Sequence, residues 1–287
     1  MVPFSVACYK FVRFNIENKP QAYDFPQFRD FWIPALSSVV FYSIQTFFEK
    51  TFVSILMPYI KQCNSVEEKE LRANKASKYL FKFIYYIGSV TWAFYIFMDQ
   101  PWMPKLLGGS GTYSKAFDGF PYKEHAPGLK YYYLVLMGYH LGALISHFVT
   151  SKKNDFIEMG LHHILAVQLY GGSYILNLWE QGAIVVLIHD LSDITISICR
   201  ALSQTIYQHL AAVLFISNMA VWVYTRMVVF PYLIYTNFIS DADFGWNLTL
   251  PTICALLSCL FLLHCYWFML FCKMVTNYAK TGKTEDI

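Results

Sequence analysis

The stretch Gln181–Arg200, QGAIVVLIHDLSDITISICR, decides the class of fold. About 20 predominantly apolar residues are what a helix needs to cross a bilayer, and this run has that length and character. Its middle nevertheless carries His189, Asp190 and Asp193. An ionisable side chain in hydrocarbon costs about 2.5 to 3.5 kcal/mol even on lenient insertion scales, so such a cluster is a functional-site hypothesis by default.

The stretch before it, Ile157–Trp179, has the same apolar character and carries His162 and His163. Five more runs of spanning length are Phe31–Ile60, Tyr79–Met98, Lys130–Val149, His209–Thr236 and Leu248–Val275. The composition agrees: of 287 residues 56% are apolar, 19% aromatic and only 14% charged, where an ordinary soluble domain is about a quarter charged. The chain therefore reads as an all-α polytopic membrane protein of about seven transmembrane helices. A net charge of +3 and the absence of a basic tract give no reason to expect a nucleic-acid partner.

The connections are short apart from Asp99–Gly128, where Pro101, Pro104, Gly108-Gly109-Ser110-Gly111 and Pro121 mark a long lumenal loop. Lys and Arg favour the side holding Lys61, Lys69, Arg72, Lys152, Lys153, Arg200 and Lys273, so the N-terminus is expected in the lumen and the C-terminus in the cytosol. The sequon at Asn247 then falls on the lumenal side, close to hydrocarbon. Residues 1–30 are too polar for a cleaved signal peptide and read as a lumenal, interfacial segment. The first transmembrane helix occupies 31–60. The seven cysteines show neither CxxC nor finger spacing and read mostly as small apolar packers.

Depth gives the polar residues a pattern. His162 lies seven residues past Asp155, and Asp193 lies seven before Arg200. At ~1.5 Å per residue both sit about 10 Å inside the cytosolic end of their spans. His189 and Asp193 are i and i+4, and Asp190 and Asp193 are i and i+3, so the three share one broad helix face. His162 and His163 point ~100° apart, so one meets a reacting atom while the other supports it. Interhelical hydrogen bonding, which contributes only ~0.6 kcal/mol per bond, does not call for two carboxylates and three imidazoles at one level. His140, His147 and His209 read as hydrogen-bonded packing residues, and Arg226 as snorkelling or paired in the lumenal half of its helix.

The run Lys153-Asn154-Asp155-Phe156-Ile157-Glu158-Met159-Gly160-Leu161-His162-His163, followed by His189-Asp190-Leu191-Ser192-Asp193, resembles the Lag motif of ceramide synthases in the TLC-domain superfamily. Weaker similarities flank it at Pro101-Trp102, Phe120-Pro121, Thr225-Arg226, Phe230-Pro231 and Leu263-His264-Cys265-Tyr266-Trp267-Phe268. Ala166 stands where that family commonly has Thr, and Ser197 and Arg200 stand where it has an acidic residue and Lys.

The resemblance implies a TLC catalytic domain over 71–278, with spans two to seven forming a six-helix bundle around a central cavity, and a cytosolic tail at 279–287. It implies N-acylation of a sphingoid base by fatty acyl-CoA at the endoplasmic reticulum membrane, giving (dihydro)ceramide. His162 or His163 would be general base or nucleophile, through an acyl-imidazole in the latter case. His189, Asp190 and Asp193 would relay protons and orient the imidazole. Lys152, Lys153 and Arg200 would meet the polyanionic coenzyme A at the cytosolic mouth, and His264 would line the cavity. Asp241 and Asp243 fall in a region that influences acyl-chain length in the family. No cofactor and no metal are expected beyond acyl-CoA as substrate. Membrane lipids are further partners, and a homo- or hetero-oligomer or an accessory subunit is compatible with this reading. The alternative is a non-enzymatic TLC-domain protein that binds or senses lipid or assists translocation. A membrane di-iron desaturase is disfavoured because the chain has no HxxxH or HxxHH box to supply enough imidazole ligands.

Overall fold

The computed structural model describes residues 25–149, 155–239 and 249–281, with Val6, Tyr9, Lys10, Val12, Arg13, Phe14 and Glu17 before them. Each stretch expected to span is helical: α1 Trp32–Leu56, α2 Val66–Phe97, α3 Leu129–Val149, α4 Phe156–Ile175, α5 Trp179–Ser203, α6 Gln208–Trp222, α7 Phe230–Ile239 and α8 Thr249–Thr281. A π-helical segment, Val223–Val229, joins α6 to α7. Among the described residues the only β-pairing is two isolated bridges, Ile60 with Thr205 and Pro104 with Gly111. Among the described residues six helical stretches are long and apolar enough to cross a membrane: Phe28–Tyr59, Val66–Phe97, Leu129–Val149, Trp179–Ser203, Gln208–Asn237 and Pro251–Lys280. The helix outside that set is α4, whose hydropathy is lowered by Glu158, His162, His163 and Gln168.

Of the boundaries that differ from the expected ones, two do so for readable reasons. Helix α2 begins at Val66 rather than Tyr79 because its charged first turns form an amphipathic helix. The Ser65 hydroxyl accepts from the Glu68 amide at 3.1 Å, and Glu68 pairs with Arg72 at 3.0 Å. Helix α4 ends at Ile175 rather than Trp179 because Asn177 adopts a left-handed φ of 60°, a conformation that Asn tolerates in turns.

The chain forms two compact units. The first comprises Met1–Val39, Trp92–Val186 and Val229–Leu263, and the second Val40–Thr91, Leu187–Val228 and His264–Ile287.

In the first unit α3 packs along α4 around buried tyrosines. Tyr132 meets Trp92 and Phe97 edge-on, with ring centres 5.3 Å apart in both pairs. A methyl group at Gly182 would fall on the Tyr133 hydroxyl and ring, so glycine sets how closely α3 and α5 approach. Tyr174 donates to Asp30 at 2.6 Å, and Lys130 pairs with Asp30 at 3.0 Å.

The loop before α3 is tied down. Trp102, Met103, Leu107, Tyr113 and Ala116 are buried in it, and Tyr113 donates to Asn237 at 2.9 Å. Lys123 pairs with the buried Glu180 at 2.7 Å, and the second Glu180 oxygen meets His125 Nδ1 at 2.8 Å. The other His125 nitrogen is 2.9 Å from Asn177 Oδ1, while the Asn177 amide donates to the Pro121 carbonyl at 2.7 Å. Both His125 nitrogens thus face side-chain oxygens. Burial pushes the Lys123 ammonium below its ordinary pKa, and Glu180 opposes that shift.

In the second unit Trp222, Phe215, Phe271 and Cys199 form a buried cluster, with Trp222 edge-on to Phe271 at 4.9 Å. The Ile206 amide donates to the Tyr59 carbonyl at 2.8 Å, and Arg72 donates to Gln204 at 3.3 Å, joining the ends of α1, α2 and α5.

Candidate functional site

Arg226 organises the polar core of the second unit. The π-helical segment adds a wide turn, a feature frequent at functional sites, and its only charged residue is Arg226, which is 2% exposed. The guanidinium donates from Nε to Ser192 Oγ at 2.7 Å, from Nη1 to His264 Nε2 at 2.9 Å, and from Nη2 to the His189 carbonyl at 3.1 Å and to Asp193 Oδ1 at 2.5 Å. The Ser192 hydroxyl in turn donates to the His189 carbonyl at 2.8 Å. Because arginine only donates, the bond to His264 makes Nε2 the acceptor and puts that ring's proton on Nδ1. The guanidinium carbon also lies 4.2 Å from the centre of the Trp222 ring. The network therefore offsets the cost of a buried cation with an anion, hydrogen bonds and an aromatic face.

The three α5 residues divide their tasks. Asp190 is buried and accepts from the Ser89 hydroxyl of α2. The Asp193 side chain, held by Arg226 through Oδ1, keeps 21% of its surface exposed. The His189 ring lies 4.9 Å from the His264 ring. Nearer the end of α5, Arg200 donates to the Tyr79 hydroxyl at 3.1 Å.

His162 and His163 belong to the first unit. Gly160 and His163 are i and i+3 and lie on the side of α4 that meets His147 of α3. A methyl group at Gly160 would stand 3.2 Å from His147 Nε2, and the His163 and His147 rings are 5.6 Å apart. His147 itself is a packing residue, stacked on Phe156 with Nε2 2.9 Å from the Phe156 carbonyl oxygen. His162 points ~100° away from His163 around the helix. Both histidines are half-buried, and their rings are 5.5 Å apart.

A family model described as the TLC domain matches residues 75–273. The chain belongs to the TLC-domain family. Ceramide synthase 4 of Mus musculus is 30% identical over 228 residues, which cover 77% of this chain and 55% of that protein. Ceramide synthase hyl-2 of Caenorhabditis elegans is 22% identical over 293 residues, covering 96% of this chain and 87% of that protein. Ceramide synthase LOH2 of Arabidopsis thaliana is 24% identical over 225 residues, covering 74% and 73%. This TLC-domain chain spans about half the length of the mammalian relatives it matches.

Within the TLC domain the structure gathers His189, Asp193 and His264 around Arg226 and directs Asp190 to Ser89. Lys152, Lys153, Asn247, Asp241 and Asp243 lie outside the described residues. Among the described residues no group of three or more His, Cys, Asp or Glu is arranged to hold a metal ion. Sequence reasoning read Arg226 as snorkelling or paired but did not place it at the site, and it gave no role to Ser192, Ser89 or Trp222. The available signal was an arginine in the interior of a hydrophobic run, which in a membrane requires a partner of opposite charge.

Proposed function

We propose that this TLC-domain protein is a sphingoid-base N-acyltransferase that uses fatty acyl-CoA and forms (dihydro)ceramide. The observation that carries the reading is the ordered pair of motifs, His162-His163 and His189-Asp190-Leu191-Ser192-Asp193, in a chain similar to proteins named ceramide synthase. His162 is the chemical centre, since His163 lies against His147. As nucleophile it attacks the thioester carbonyl, breaking the C–S bond to release coenzyme A thiolate and leave an acyl-imidazole that the amine then opens; as general base it takes the proton the amine loses while that thiolate departs. His163 supports it.

Asp193 supplies a negative charge for the cationic amine, and Arg226 fixes its position. Asp190 and His189 orient and relay. Because His264 is fully buried against Arg226, its part is to hold that guanidinium. Arg200, with Lys152 and Lys153, meets the coenzyme A phosphates at the cytosolic mouth. The membrane is that of the endoplasmic reticulum, as the family resemblance implies, and the N-terminus is lumenal, as the distribution of Lys and Arg favours.

The test is purified protein in liposomes supplied with sphinganine and acyl-CoA of several chain lengths. Labelled dihydroceramide from the wild type and its loss in His162→Ala support the reading. No product at any chain length favours a lipid-binding or lipid-sensing TLC protein.

A further inference from the structure

Lys82, in the second unit, forms no ion pair with a carboxylate among the described residues. It is half-buried on α2, one turn beyond Tyr79. Its ammonium lies 5.9 Å from the centre of the Tyr79 ring, and the Arg200 guanidinium carbon lies 5.4 Å from the same centre. Lys78, one turn earlier on the same helix, adds a further cation. Asp193 is committed to Arg226 at 2.5 Å, and among the described residues no carboxylate forms an ion pair with Lys82.

Cations grouped around one phenol ring in a low-dielectric surrounding repel one another. An anion touching two of them relieves that repulsion and is attracted to each. Arg200 presents a planar fork and Lys82 a point charge, the two forms of donor that recognise phosphate oxygens. Tyr79 fixes the fork through its hydroxyl.

The level on the helix also fits. Asp193 and Arg200 are seven residues, or ~10 Å, apart along α5, and Lys82 shares the Tyr79 ring with Arg200. A phosphate held by Lys82 and Arg200 therefore lies toward the Ser203 end of α5 from Asp193.

We propose that Lys82 and Arg200, on the Tyr79 ring, form a phosphate-ester site that takes the phosphates of coenzyme A. This rests on the acyl-CoA-dependent reading above. An anionic phospholipid headgroup offers the same chemistry, and the experiment separates the two sources.

Wild type, Lys82→Gln and Lys82→Arg are compared in phosphatidylcholine liposomes with an acyl-CoA and with the matching N-acetylcysteamine thioester, which has the same reacting bond and no phosphate. Lys82→Gln is expected to raise the KM for acyl-CoA about tenfold with kcat little changed. Lys82→Arg restores it, and the KM for the phosphate-free thioester stays put in both variants. Equal changes with both thioesters, or none with acyl-CoA, overturn the site. Binding of free coenzyme A, measured by calorimetry, tests it without turnover. Binding by the wild type that Lys82→Gln weakens about tenfold supports the site even if no ceramide forms, and failure of the wild type to bind overturns it. Competition by phosphatidate but not by coenzyme A assigns the site to a lipid headgroup and overturns the proposal.

Discussion

Arg226 and Asp193, 33 residues apart, form an ion pair of 2.5 Å inside the membrane-spanning part of the chain, with the arginine buried and the aspartate partly open. Removing one member of a buried pair leaves an uncompensated charge, at a cost of about 3 to 5 kcal/mol, whereas replacing both with apolar residues is often close to neutral. Arg226→Met should therefore lower the melting temperature of the detergent-solubilised protein far more than Arg226→Met combined with Asp193→Leu. Equal losses in the single and double variants would remove the pair from its organising place.

The anchor of the 99–128 loop makes a separate prediction. Lys123→Met leaves Glu180 with His125 as its remaining partner, and a loss of about 3 kcal/mol is expected from a half-broken buried cluster. The readout is limited proteolysis of the 99–128 loop alongside thermal unfolding. Cleavage within that loop should rise while Lys82→Gln, in the other unit, leaves it unchanged. Wild-type proteolysis of Lys123→Met would mean that the buried aromatic residues hold the loop without the ion pair.

Helix approach in the first unit is set by Gly182. Gly182→Ala drives a methyl into Tyr133, and overpacking of this kind costs about 1 to 3 kcal/mol. Tyr133→Leu also loses the 2.5 Å bond to Ser173, so it is destabilising by itself. The combination should nonetheless be less damaging than the two losses added together, because the clash is gone. Strict additivity in a thermal-shift series would contradict the contact.

What the sequence made legible, and what it concealed, follows from the range of the interactions. Helices announce themselves through local apolar runs, so all seven expected stretches are helical, with ends shifted where capping or a left-handed Asn decides them. His189, Asp190 and Asp193 were visible because charge inside such a run is anomalous in one dimension. Arg226 carried the same anomaly, but its partners come from α5 and α8, 33 and 38 residues away, and its orientation depends on a π-turn with no local sequence mark. The Lys123, His125 and Glu180 cluster was hidden for a related reason. Polar residues in a loop read as solvated until the fold buries them.

His163 and His162 should separate functionally. His163, packed beside His147, is a supporting group, so His163→Asn should retain part of the acyl-transfer rate while His162→Asn retains none above background. The comparison is made at matched folded fraction, checked by gel filtration and thermal shift. Equal residual rates in the two variants would contradict the assignment of distinct roles.

The most direct test of the central claim is the rate of labelled dihydroceramide formation from sphinganine and acyl-CoA by the purified protein in liposomes, wild type against His162→Ala and Asp193→Asn. The account predicts turnover by the wild type, none by His162→Ala, and a rate lowered by about a hundredfold or more in Asp193→Asn, the scale on which general acid–base groups act. Wild-type rates in both folded variants would contradict it.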